Sequence, residues 1–298
     1  MHKSAITVLA LMAGTAVGCG DDGGSSGDGN LELILVAEDT IPEGIPSDPS
    51  GEEDEAIVDG YRAEFDRYII AVGLVDMAQA GGANQQQSSV VSVADYANLP
   101  TTDPTLVNFN GIPTGQYSEF GFETPVIDDD PDVNVNVADE DVQRMIDNDY
   151  TYIIEGRVIP DGGGDAIEFL IEAVVPSVYT DCDGNVAPGV AVGPSSTASI
   201  LMHGDHIFFN GFPADESDVE RRAAWMSRVV DRDENGVLEK ADFEAAVDLG
   251  TLFPESEGYV GLNDGPVGTL TNAWDFIRSQ LGTQGHINGE FECEWGDI

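Results

Sequence analysis

From Leu31 to about Asn210 the apolar positions come in short runs, each bounded by Gly, Pro, Asp or Asn. "LELILVAE" alternates in part. "FDRYIIAVGLVDMA", "SSVVSVADY", "TLVNFNGIPTGQYSEFGFE", "YTYIIEGRVI", "AIEFLIEAVV" and "TASILMHGDHIFF" follow, rich in β-branched and aromatic residues. Runs of this kind between turn residues predict strands, and their regular spacing predicts an antiparallel β-sandwich. "GIPTGQY" reads as a turn set by Pro113 and Gly115, and "PDGGGDA" as a hairpin loop. Residues 41–59 and 78–90 read as loops, with "QQQSS" facing solvent. One helix interrupts the pattern at "ADEDVQRMIDN", with Asp139 as N-cap and Val142, Met145 and Ile146 on its apolar face.

After Pro213 the period becomes helical. Ser217 with Glu220 three residues on forms a capping box, and Val219, Ala223, Met226 and Val230 share one face. Phe243, Ala246, Val247 and Leu249 mark a second helix that Gly250 is placed to end. "LTNAWDFIRSQLG" is a third, ended by Gly282, and "HINGEFECEW" closes the chain as a strand that returns to the sandwich. The expected fold is therefore mainly β with an α segment (α+β). Residues 31–212 form the β-sandwich, 213–285 a helical segment, and 286–298 the returning strand and C-terminus.

The first residues, "MHKSAITVLALMAGTAVGCG", carry Lys3 and then an apolar stretch too short for a stable membrane-spanning helix. Ending in "AVGC", the stretch resembles a bacterial lipobox, with Ala16 where the family prefers Leu. The resemblance implies that residues 1–18 are a lipoprotein signal peptide and that Cys19 carries the lipid. It makes the membrane a partner through an N-terminal anchor. Gly20, rather than Asp, after the cysteine implies the outer membrane, on the periplasmic or cell-surface side. The alternative is an ordinary secreted protein. Residues 19–30, small and polar, read as a flexible tether. If Cys19 is lipidated, Cys182 and Cys293 remain as an even pair in an oxidising compartment. A disulfide between them would close a loop of roughly 110 residues, worth on the order of 4–5 kcal/mol. Two buried free thiols are the alternative.

Charge narrows the partners. With 56 acidic against 11 basic residues, the formal net charge is −45. That disfavours nucleic acid and anionic lipid, which demand Lys and Arg. It favours cations, and it also suits salty surroundings where counter-ions screen the self-repulsion.

One acidic stretch has the spacing of a calcium site. A calcium loop places oxygen ligands at positions 1, 3, 5, 7, 9 and 12, with Gly at position 6. In "DRDENGVLEKAD" these are Asp231, Asp233, Asn235, Val237 (by its carbonyl), Glu239 and Asp242, with Gly236 at the bend. Leu238 at position 8 is aliphatic, and helices are predicted on both sides. The stretch resembles an EF-hand. It departs from that family at position 12, where Asp242 stands in place of a Glu that grips the ion with both oxygens. Dockerin-like and other extracellular bacterial loops also end in Asp. The resemblance implies Ca2+ binding with a dissociation constant of about 10⁻⁴–10⁻³ M. No second intact loop is present, so the site reads as single and structural. The look-alike "DCDGN" at 181–185 puts its Gly at position 4 and reads as a turn.

His203 and His206 in "MHGDHIFF", with His286 near the last strand, make a second candidate, for zinc or copper. In a regular strand residues i and i+3 face opposite ways, so convergence requires a bulge at Gly204. Structural histidines are the alternative. The layout of "FDRYIIAVGLVDM" and "YIIEGRV" resembles periplasmic β-sandwich proteins associated with copper-handling systems. The whole pattern is similar to uncharacterised exported lipoproteins of environmental bacteria, a resemblance that brings no known activity. HExxH and the P-loop are lacking, and no GxSxG or dinucleotide fingerprint lies beyond the signal and tether residues 1–30. The leading expectation is a lipid-anchored calcium-binding module with an unidentified protein or polysaccharide partner. A transition-metal protein is the alternative, and an enzyme on an extracellular polymer a third reading.

Overall fold

A computed structural model describes residues 28–52, 55–184, 187–212, 219–262, 268–289 and 291–297. The signal peptide, Cys19, most of the tether and Ser217 lie outside the described residues.

The strands in chain order are β1 (Asp28–Ala37), β2 (Tyr61–Gln79), β3 (Ala83–Gln87), β4 (Val91–Asp95), β5 (Thr105–Pro113) and β6 (Gly115–Tyr117). Next come β7 (Glu119–Thr124), β8 (Val133–Val135), β9 (Tyr152–Pro160), β10 (Ile167–Ala173), β11 (Ser177–Thr180) and β12 (Val190–Val192). The last are β13 (Ser196–Met202), β14 (Val237–Leu238), β15 (Gly285–Ile287), β16 (Phe291–Glu292) and β17 (Glu294–Asp297). Among the described residues four α-helices are set between them: α1 (Asp139–Asn148), α2 (Lys240–Ala245), α3 (Leu249–Leu252) and α4 (Ala273–Leu281).

The protein is mainly β, as expected. One sheet runs β16-β15-β13-β1-β5 and a second β14-β10-β9-β2-β7-β11-β17, with β3 and β4 also paired to β2 and β8 to β4; β6 and β12 pair in a small two-stranded sheet. Alternation works as the pleat requires: Leu31, Leu33 and Leu35 of β1 are buried in the main core, which β2, β9 and β10 line from the other sheet. β2 and β9 are covered on their second face too. There Ile69, Ala71 and Ile153 pack with Val142 and Met145 of α1, so these strands read as continuous apolar runs rather than alternating ones.

Several details depart from the sequence reading. The sandwich is not wholly antiparallel: β1 pairs with β13 in parallel, as do β4 with β8 and β10 with β14. The chain between β1 and β13 passes through the opposite sheet, so no hairpin fixes their relative direction. The tether gives way early, because Asp28, Gly29 and Asn30 already pair with β5. "QQQ" is not loop but edge strand β3, hydrogen-bonded along the end of β2. Finally, in the stretch expected to be a helix before the acidic loop, the described residues form a 3₁₀ turn, Ala224–Arg228, and no α-helix.

The helix after that loop is divided. α2 ends at Ala245, with Ala246 as its C-cap, and Gly250 lies inside α3 instead of closing a longer helix. Helix α4 matches expectation: the Asn272 side chain caps it by accepting from Asp275 N–H, and Gly282 follows its last turn. The segment is held by aromatic packing, with Trp225 fully buried against Phe243, Phe253 and Phe276. The chain does return at its end: β15 pairs with β13 and β17 with β11, and the Cys182–Cys293 disulfide ties the return. Among the described residues no helix is long and apolar enough to cross a membrane.

Candidate metal centre

The three histidines outside the signal region meet. His203, His206 and His286 are all buried, and each offers a ligand nitrogen within 4.8 Å of the others. Register explains two of them. β15 lies beside β13 with His286 opposite Leu201. His203 is two residues beyond Leu201 and so on the same face, and its N–H bonds Gln284 O at 3.1 Å. Gly285 is required here, because a Cβ would sit 2.6 Å from the Tyr179 ring. The third histidine arrives by a different route from the expected bulge. β13 stops at Met202 and the chain turns into a 3₁₀ turn, Asp205–Phe208, which swings His206 back over the strand end. Gly204 sits at ordinary helical φ, −77°. It is glycine because a Cβ would lie 2.5 Å from Ile41 Cγ1. The ring centroids stand 4.0 Å apart for His203–His286 and 5.4 Å for His206 with either partner.

The supporting shell sets which nitrogens face inward. Thr283 Oγ1 donates to Gln280 O at 2.9 Å, so its lone pair accepts from His206 Nδ1–H at 2.8 Å. His206 Nε2 is thereby left with its lone pair. Burial, then the neighbouring His203 and His286, hold the His206 pKa well below the usual imidazole value, so this ring stays neutral. On the far side of His203, the parallel register Ala37↔Met202 runs on to place Glu38 beside it. Glu38 Oε1 lies 3.1 Å and Asp205 Oδ1 3.9 Å from His203 Nδ1. Asp205 is fully buried and paired with Arg221 at 2.6 Å. Burial and the charge of Glu38 push its pKa up to about 6. Burial raises the Glu38 pKa as well, but the contacts from His203, Thr40 and Arg221 outweigh it, and the net direction is down.

His206 and His286 open onto a cleft of about 690 Å³, whose outer wall carries the exposed Asp181, Asp183 and Glu294 together with Trp295. Three imidazoles suit borderline ions such as zinc and copper. Around a tetrahedral ion at about 2.0–2.1 Å the nitrogens stand roughly 3.3 Å apart, within reach of small ring rotations here. The fourth position would face the cleft. Glu38, Arg221 and Thr283 were not singled out in the sequence. One acid among 56 carries no local mark; only the β1–β13 register gives Glu38 its place.

The acidic loop has a different build. Gly236 N–H donates to Asp231 Oδ2 at 2.8 Å, Asn235 N–H to Asp233 Oδ1 at 3.2 Å, and Val237 N–H to Asn235 Oδ1 at 2.7 Å. The bond from Gly236 N–H holds the Asp231 carboxyl below its usual range. Gly236 adopts φ +88°, as the sharp bend demands. Asp242 is buried under the loop, accepting from Arg232 N–H and Glu239 N–H, both at 3.0 Å. Val237 and Leu238 form β14 and pair with Glu168 and Phe169 of β10. Asp181 and Asp183 of "DCDGN" belong instead to the wall of the histidine cleft.

Fold and site together define a β-rich protein with a buried three-histidine cluster at the inner end of an acidic cleft. No family model matches the chain, and no curated protein matches it. Among solved structures it is similar to "MbnP from Methylosinus trichosporium", at 18% sequence identity and a TM-score of 0.30, covering 60% of this chain and 76% of that one. A likeness that low assigns neither fold nor function.

Proposed function

We propose that this chain is an exported, lipid-anchored metal-binding protein whose centre is His203, His206 and His286, taking zinc or copper. The observation that carries this reading is the convergence of three buried imidazole donors, one just past the end of β13, one from β15 and one from a 3₁₀ turn, with ligand atoms within 4.8 Å. Three imidazoles buried together beside two buried carboxylates are costly to assemble for packing alone. The Thr283 acceptor and the Glu38 carboxylate give the ring orientation that metal-bound histidines need. The test is titration of metal-free mature protein with zinc and with copper(II). One equivalent should bind to the unaltered protein, and none tightly to the His203→Ala, His206→Ala variant. Equal binding by both proteins would sink the reading.

Calcium in the loop of Asp231, Asp233, Asn235, Val237, Glu239 and Asp242 is a second reading. The Gly236–Asp231 bond and the buried Asp242 favour it over a merely solvated turn. An EF-hand usually packs its short loop strand against that of a second EF-hand; here β14 is seated on β10. Calcium would then stabilise the C-terminal segment by binding the folded state only. A melting temperature that does not rise with millimolar calcium over EDTA would end this reading. Anchoring through Cys19, at the outer membrane, is part of the same proposal, and radiolabelled palmitate incorporation lost in Cys19→Ala tests it.

A further inference from the structure

The backing of His203 is unusually anionic for an interior position. Glu38 is 8% exposed and Asp205 fully buried. Each carboxylate has one oxygen engaged away from the histidine: Thr40 Oγ1 donates to Glu38 Oε2 at 2.5 Å, and Arg221 to Asp205 Oδ2 at 2.6 Å. The other oxygen of each, Glu38 Oε1 and Asp205 Oδ1, is buried. These are the two oxygens that lie 3.1 and 3.9 Å from His203 Nδ1. Two carboxylates against one guanidinium leave a formal charge of −1 immediately behind the imidazole cluster. His206, by contrast, is backed by the neutral hydroxyl of Thr283.

Resting on the metal centre proposed above, we propose that Glu38 and Asp205 are selectivity residues that make it prefer divalent ions, zinc or cupric copper, over cuprous copper. In a low-dielectric interior a fixed anion acts at long range. Its attraction scales with the charge of the bound ion, so it favours a 2+ ion over a 1+ ion held by the same three nitrogens. It also strengthens His203 as a donor by drawing its Nδ1 proton, an effect that matters more for the harder, more highly charged ion. Neither carboxylate touches the ion; both act through His203.

Zinc(II) and, without oxygen, copper(I) affinities of unaltered protein, Glu38→Gln, Glu38→Asp and Asp205→Asn would be measured against competing chelators, alongside the copper reduction potential. Glu38→Gln keeps the size and the Thr40 contact while removing the charge. It should weaken zinc(II) by about 10–100-fold and copper(I) by much less. A tenfold loss selective for copper(II) raises the potential by about 59 mV. Asp205→Asn should move both quantities the same way, and serves if Glu38→Gln does not fold. Glu38→Asp, which keeps the charge, should restore the zinc-to-copper(I) ratio. Equal losses for the two ions would mean that Glu38 only holds the ring, and would overturn the proposal; so would no change. Unaltered protein that binds neither ion would defeat the centre itself, a distinguishable result.

Discussion

The histidine cleft and the acidic loop are both cation-ready, yet they are built in opposite ways. The loop is contiguous: its donors lie within residues 231–242, four of them acidic, and all but the buried Asp242 are half-buried or exposed. Its geometry comes from Asx-type bonds between near neighbours, such as Val237 N–H to Asn235. The histidine site is assembled from positions 203, 206 and 286, all buried, and it exists only because β15 pairs with β13. A local site survives loosening of the rest of the molecule. A site made by strand pairing depends on the fold that makes it.

The largest test of that difference is reduction of the Cys182–Cys293 disulfide. Closing a loop of more than a hundred residues, it should contribute about 4–5 kcal/mol to unfolding in the chain-entropy model, read as a lower denaturant midpoint after Cys182→Ser, Cys293→Ser. Cys293 also lines the histidine cleft. Zinc affinity should therefore fall in the variant, while the calcium response of the loop, tied to β10 through β14, should be kept. Parallel losses at both sites would show that the two are not independent.

Next in size is a pair of single variants. His286→Ala removes one of three nitrogen donors and leaves a two-ligand site, so zinc affinity should drop at least about a hundredfold. Any calcium-induced rise in melting temperature should be untouched. Asp231→Ala should do the reverse, because it deletes the carboxylate that Gly236 N–H holds in place. Crossed effects, measured by calorimetry with each ion, would break the separation.

What the sequence disclosed follows the same line. The loop pattern was legible because its signal is local spacing. The strands of the body, helix α4 and the cysteine pair were legible for similar reasons: runs, caps and an even count. The histidines were legible only as residue types. Their convergence depends on the pairing of residues 201 and 286, and on a 3₁₀ turn where a bulge was expected. Glu38 was invisible, since its role comes from a parallel neighbour more than 160 positions away. The helix expected from Val219, Ala223, Met226 and Val230 failed for a packing reason. Ile57 and Phe209 bridge to Arg221 in extended form, while Asp59 accepts from Ala223 N–H and Ala224 N–H, holding the backbone out of helical register. Val230 is left 71% exposed, off any apolar face.

A smaller effect is expected at Thr283→Val. The His206 ring loses the acceptor at 2.8 Å that fixes its tautomer. Zinc affinity should fall about tenfold, the low end for an outer-shell partner. The cleft walls do not change, so the unfolding midpoint should move little.

The smallest is Asp242→Glu, and its value lies in its two signs. Asp242 bonds Arg232 N–H and Glu239 N–H, the second as half of a capping box at the start of α2. Without calcium, the longer side chain strains those bonds, and stability should drop by about 0.5–1 kcal/mol, as for a weakened cap. With calcium, Glu at position 12 reaches far enough to present both oxygens, so affinity should rise about three- to tenfold, and the stability gained on binding should exceed that of the unaltered protein. A solvated acidic turn would show the loss without the gain. Zinc binding at the histidines should stay the same in both forms, because the substitution acts only within its own loop.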